Sequence, residues 1–195
     1  MIQYRRVGAV LLGFWLGAGV FADIAVTQNF ATVDRFLAAP GSILAATELT
    51  KIGRERERVI LRRNAGEENN FIFENWERAE FFIGAALLFV LAFGGRPDKL
   101  MLALTLAMLI TVAVQHFYLS PQVTDLGRRI ADLPPKHPLN TTFWTFHGIY
   151  SGVEILKLLL GAGLALRFSI RRKTDTDHFA KKYEKEQAAA DNRRG

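Results

Sequence analysis

The sequence predicts an all-α integral membrane protein: a four-helix bundle with a long charged helical connection between helices one and two. Three observations carry this expectation. Half of the 195 residues are hydrophobic, fifteen of them phenylalanine. Charged residues are nearly absent from four stretches and crowded between them, whereas a soluble helix sets a charge on its wet face every third or fourth residue. Each stretch, alone or with its flanks, is long enough to cross a hydrocarbon core of about 30 Å at about 1.5 Å per residue.

The first span, residues 7–33, holds a single acidic residue, Asp23, and sets Gly13 and Gly17 at the GxxxG spacing that lets helices approach closely. A cleavable signal peptide is the competing reading. Arg5 and Arg6 would form its basic start, and Val20-Phe21-Ala22 resembles a small-residue cleavage site. Ile24, Ala25, Val26 and Phe30 continue the apolar run beyond that point, as a span requires.

Residues 34–78 form a polar connection with eight basic and eight acidic residues. Pro40 and Gly41 punctuate its start and Asn64-Ala65-Gly66 breaks it again, leaving 43–63 as a charge-laced helix, in solvent or on the membrane surface. The second apolar run, 81–95, has only 15 residues. At roughly 22 Å it is too short to cross, so its helix is extended back to Trp76, which brings Glu80 to the boundary. Arg96-Pro97-Asp98-Lys99 makes a tight turn. The third span, 100–120, has no formally charged residue, carries Gln115 and His116 near its end, and stops at Pro121. The fourth, 142–166, contains His147, Glu154 and Lys157. Residues 1–168 are thus the membrane domain, and 169–195 a basic polar tail.

Of the 25 Lys and Arg residues, nine follow the last span and two precede the first, so the net charge of +6 reads as basic membrane flanks and not as a nucleic-acid surface. With four spans, Arg5, Arg6, Arg96, Lys99 and Arg171 to Lys173 fall on one side. The positive-inside tendency makes that side cytoplasmic and places both termini there, in the inner membrane. Trp76, Phe117, Tyr118, Phe143 and Trp144 fall at helix ends on the opposite side, as an interfacial belt.

Threading the helices up and down puts Asp23, Glu80, His116 and His147 at similar depth in the non-cytoplasmic half. Ionisable groups cost about 2.5–3.5 kcal/mol each inside a bilayer, so they are expected to face one another or a wet cavity. On helix four, His147, Tyr150, Glu154 and Lys157 recur at spacings of three, four and three and share a face; Glu154 and Lys157 are placed for an ion pair. Gly148 and Gly152 repeat the GxxxG spacing. A buried polar cluster of Asp23, Glu80, His116, His147, Tyr150, Glu154 and Lys157 follows.

Three readings of that cluster stand. It can be polar glue that also handles a proton or a small solute. It can be a metal or haem site, with His116 and His147 as axial ligands of a b-type haem or, with Asp23 or Glu154, holding copper or zinc, although no helix carries a paired-histidine signature. Alternatively the chain is an interaction protein, its charged connection 51–63 and basic tail recruiting a partner or anionic lipid beside a homo-oligomer in the bilayer. No cofactor is predicted. The absence of cysteine removes disulfides, thiolate metal sites and thiol nucleophiles. G-x-S-x-G, P-loop and HExxH motifs are missing as well, so a non-enzymatic protein is expected.

Three stretches together resemble one family. They are Leu12-Gly13-Phe14-Trp15-Leu16-Gly17, the segment from Gly53-Arg54-Glu55 to Phe73-Glu74-Asn75-Trp76-Glu77, and Phe143-Trp144-Thr145-Phe146-His147-Gly148-Ile149-Tyr150-Ser151. The chain is similar in them to the transmembrane protein 205-like family, whose bacterial members are grouped as domain of unknown function 4149. The likeness covers residues 7–168 and is most specific at the aromatic His-Gly entry to helix four. It implies a four-helix membrane bundle and no particular activity. Where members frequently carry Asn on helix four, this chain has Glu154.

Overall fold

The computed structural model describes residues 3–38, 53–94, 98–131, 133–134, 136–169, 183–184 and 186. The expected breaks at Pro40 and Gly41, the first part of the charged helix, Arg96 and Pro97 of the 96–99 turn and nearly all of the basic tail lie outside the described residues.

Four long helical rods pack side by side. Helix α1, Gln3–Ala38, runs 36 residues without interruption. Helix α2, Arg54–Phe93, runs 40 residues, about 60 Å, or twice the hydrocarbon thickness. It begins at Gly53, whose φ of 89° lies in the region open to glycine alone at low cost. Helix α3, Lys99–Val114, starts at Asp98, whose carboxylate accepts from the amides of Leu100 (3.1 Å) and Met101 (3.4 Å). A π-helical turn, Gln115–Leu119, joins α3 to helix α4, Ser120–Ile130, so the third rod is continuous. Helix α5, Pro138–Ser169, opens with proline in its first turn, where a missing N–H does no harm, and His137 Nδ1 accepts from the Leu139 amide at 3.2 Å.

Helix α1 packs along α2, α2 against α3, α3 and α4 against α5, and α5 returns to α1, which closes a four-rod bundle. Leu12, Trp15, Leu87, Leu91, Met101, Met108, Val112 and Leu164 fill its apolar core.

Two expected breaks are absent. The helix passes straight through Asn64-Ala65-Gly66, because tertiary contacts on either side outweigh the roughly 1 kcal/mol cost of a helical glycine. Ala65 is buried, Glu67 pairs with Arg128 of α4 through two 2.7 Å hydrogen bonds, and Asn69 binds α1. Nor does Pro121 end the third rod. The Ser120 amide reaches back five residues to the Gln115 carbonyl, and this wider turn relieves the clash between a proline ring and the preceding turn.

The distribution of polarity is inverted relative to a soluble bundle. Phe21, Phe82 and Phe93 are 72%, 78% and 75% exposed, while Glu77 and Glu80 are 1% and Lys157 2% exposed. Apolar surface of that extent belongs against lipid. Three rods are long and apolar enough to cross a membrane: Tyr4–Ala38, Lys99–Ile130 and Pro138–Ser169. Helix α2 falls outside that class because Glu77, Arg78 and Glu80 stand at the head of its apolar half.

The glycines that permit close packing are not those the GxxxG spacing selects. Around Gly13, Gly17, Gly148 and Gly152 an added Cβ would meet nothing within 4 Å, and all four face outward. A Cβ on Gly84 would instead stand 2.8 Å from the Trp15 ring, one on Gly8 2.8 Å from Phe168, and one on Gly161 would collide with Leu16. Spacing alone does not specify which face of a helix meets a neighbour, and here α1 and α5 turn their GxxxG faces away from the bundle.

Candidate functional site

Midway through the bundle, side chains from all four rods meet in a buried polar network. Its inner part centres on Lys157 of α5, whose ammonium lies 2.5 Å from Glu80 Oε1 on α2 and 2.8 Å from Glu154 Oε2 one turn away on its own helix. Gln115, in the π turn, donates from Nε2 to Glu154 Oε2 at 2.8 Å and accepts from Lys157 at Oε1 at 3.3 Å. From α1, Trp15 Nε1 donates to Glu80 Oε1 at 2.8 Å. Each of these groups is buried.

A second part centres on Glu77, one helical turn from Glu80. Tyr150 OH donates to Glu77 Oε1 at 3.0 Å, Ser120 Oγ donates to the same oxygen, and His116 Nδ1 lies 3.0 Å from Oε2. Phe81 and Phe117 set their ring edges against the imidazole, and Phe73 does the same to Tyr150. The two parts are stitched by the chain itself, since Glu77 and Glu80 share a face of α2 while Gln115 and His116 are neighbours in the π turn.

The structure brings Glu80, Tyr150, Glu154 and Lys157 together as the sequence predicts, and places His116 beside them. Asp23 sits half-buried at the edge, close enough to feel the charges of Glu154 and Lys157. His147 stands apart: its ring stacks on Phe143 at 5.7 Å and meets Trp144 edge-on at 5.6 Å. His116 and His147 thus have different neighbours, one a carboxylate and the other two aromatic rings. Among the described residues no group of three or more His, Asp or Glu side chains is arranged to hold a metal ion.

Sequence reasoning leaves Glu77, Trp15 and Ser120 out of the cluster and notes Gln115 only as a polar residue near the end of the third span. A signal for Glu77 is present in its spacing, because Glu77 and Glu80 stand three apart as Glu154 and Lys157 do. Nothing in the sequence marks Trp15 or Ser120, whose roles depend on which rod lies opposite.

Charge counting defines what the network can do. Three carboxylates, Glu77, Glu80 and Glu154, share one ammonium and one imidazole, so at least one carboxylate has no cation of its own. An isolated ionised carboxylate inside a low-dielectric bundle is strongly disfavoured, and neutralisation by a proton is the usual outcome. The network therefore sets three carboxyl groups within hydrogen-bonding reach of one ammonium, one imidazole and the neutral donors Trp15, Gln115, Ser120 and Tyr150.

Ion pairs also fasten the ends of the bundle. Arg167 of α5 binds the α3-capping carboxylate of Asp98 through Nε at 3.1 Å and through a second nitrogen at 3.0 Å. Arg5 donates to the carbonyls of Arg167 (3.1 Å) and Phe168 (2.9 Å), placing a cation on the last turn of α5. At the other end Arg62 grips both oxygens of Asp34 at 2.8 and 3.0 Å. Arg128 draws the Glu67 carboxyl below its ordinary range by hydrogen bonding, against a smaller effect of burial. No protein-family model, no curated protein and no solved structure matches this chain.

Proposed function

We propose that this chain is a multi-pass protein of the bacterial inner membrane, without enzymatic activity, that takes up and releases a proton at the Glu80, Glu154, Lys157 and Gln115 network. In this reading α2 is the fourth span, both termini are cytoplasmic, and the chain is a member of the transmembrane protein 205-like family. The observation that carries it is the surplus carboxylate: inside a bundle with an apolar exterior, the network sets three buried Glu side chains against one buried Lys and one part-buried His. Intramembrane ionisable residues that face one another are expensive and mark proton or ion pathways. His116, the most exposed ring in the network, with a fifth of its side chain accessible, is the natural port.

The test is proton flux in liposomes. Purified protein is reconstituted with a pH-sensitive dye inside the vesicles, and a potassium diffusion potential drives protons inward. The expected result is acidification faster than in empty vesicles, abolished by Glu80→Gln and slowed by His116→Ala. Flux equal to that of empty vesicles would remove proton transit and leave the network as a device that specifies helix packing.

A further inference from the structure

Below the network, toward the end fastened by Arg5, Asp98 and Arg167, all four rods turn apolar at once. Residues 7–14 of α1, 81–93 of α2, 100–114 of α3 and 158–166 of α5 contain no Asp, Glu, Lys, Arg or His. From Lys157 to Arg167 the helix rises about 15 Å. Leu12, Leu87, Leu91, Met101, Met108 and Leu164 meet inside this layer, each no more than 3% exposed. Among the described residues Thr105 is the one fully buried polar side chain in it, and its hydroxyl turns back to the Met101 carbonyl at 2.9 Å.

Toward α4 the opposite holds. Glu77, His116 and Ser120 continue the network beyond Glu80, with Ser120 part-buried and a fifth of the His116 side chain accessible. Asp23 stands half-buried on α1, and Asn29 donates to Asn69 at 2.6 Å where α1 meets α2. Further out, Arg128 and Glu67 pair on exposed surface.

We infer that the network is open at one end only: it exchanges with the aqueous phase on the α4 side, and the apolar layer seals it from the Arg167 end. A proton moves between groups joined by hydrogen bonds or by water, and side chains packed at interior density with no ionisable group among them supply neither. On the proton-site reading, which this inference extends, the proton is taken from and returned to the α4 face. Net flux across the bilayer then requires the layer to open, so the layer and not the carboxylates limits its rate.

The chain has no cysteine, so a single introduced thiol reports accessibility on an otherwise native background. Ser169→Cys, exposed two residues beyond Arg167, marks one end; Ser120→Cys and His116→Cys probe the network; Thr105→Cys, close in size to the residue it replaces, probes the layer. Each full-length variant, in right-side-out and in inverted membrane vesicles, is treated with a membrane-impermeant cationic methanethiosulfonate, and the adduct is read by mass. The network thiols are expected to be modified only in the vesicles that shield Ser169→Cys, and Thr105→Cys in neither until the protein is denatured in dodecyl sulfate. Modification of native Thr105→Cys from either face, of a network thiol from the Ser169 face, or of neither network thiol from the α4 face overturns the inference. The readout is independent of proton movement: a leaky layer with measurable flux removes the seal and keeps the proton site, whereas a sealed layer with no flux under any gradient removes transit and keeps the one-sided access.

Discussion

Lys157 and Glu80 meet at 2.5 Å across the α2–α5 interface, and the same ammonium lies 2.8 Å from Glu154 on its own helix. A lysine between two buried carboxylates is held by both and neutralises only one. Its removal leaves three acids around a cavity with no ammonium. Lys157→Met is expected to destabilise the bundle by about 3–5 kcal/mol, measured by reversible unfolding in mixed micelles. Adding Glu80→Gln to that variant should restore part of the loss, and a double mutant as unstable as the sum of the singles would contradict the pairing.

Trp15→Phe deletes the N–H bonded to Glu80 and also shortens the ring system that reaches Gly84, leaving a small cavity beside the lost hydrogen bond. The expected loss is at least about 1.5–3 kcal/mol, the range for a hydrogen bond to a charged group. Trp144→Phe, at a side chain 64% exposed, is the comparison and should change the same unfolding curve little.

Gly84 and Gly13 separate packing from motif. Gly84→Ala sets a methyl 2.8 Å from the Trp15 ring, which its bond to Glu80 holds in place, so a loss of about 1–3 kcal/mol is expected from overpacking. Gly13→Ala meets open space and should be neutral or slightly stabilising through helix propensity. Thermal melts followed by circular dichroism decide between this and the reverse order.

Asp98 gives the bundle a pH dependence of known sign. Burial pushes its carboxyl up, but the amides of Met101 and Leu100 and the charge and hydrogen bond of Arg167 together hold it below the ordinary 3.8. A carboxyl whose pKa is depressed by folding adds stability above its unfolded value, and that stability is lost as pH falls through the folded value. The wild-type melting midpoint should therefore fall more steeply below pH 4 than that of Asp98→Ala. At pH 7 the variant should be less stable by about 1 kcal/mol for the lost helix cap. Parallel slopes for the two proteins would show that the cap carries no linkage.

Much of the bundle is legible in the sequence because lipid imposes a one-dimensional rule, that charges thin out along a span, and residues 7–33, 100–120 and 142–166 follow it with Asp23, Glu154 and Lys157 as the exceptions. Helix α2 is harder to delimit, since Asn64-Ala65-Gly66 is a sound local break signal that contacts with Asn29 and Arg128 override. The network is legible where one helix repeats its polar residues, as at Tyr150, Glu154 and Lys157. His147 and His116 have similar depth but different azimuth, and depth is all that counting along a chain supplies. Trp15 and Ser120 enter the network only because particular rods lie side by side, a fact held in no local pattern.

The π turn at Gln115–Leu119 has a rotational consequence. Each residue advances an α-helix by roughly 100° and 1.5 Å, so one residue accommodated in a wide turn resets the phase of everything after it. Upstream, Met101, Met108 and Val112 face the core; downstream, Arg128 faces Glu67. A single-residue deletion inside the turn would tighten it to α geometry and swing α4 about a quarter-revolution, carrying Arg128 from Glu67 and Ser120 from Glu77 together. The turn acts as a phase shifter: it lets one continuous rod satisfy an apolar seam below and a polar one above.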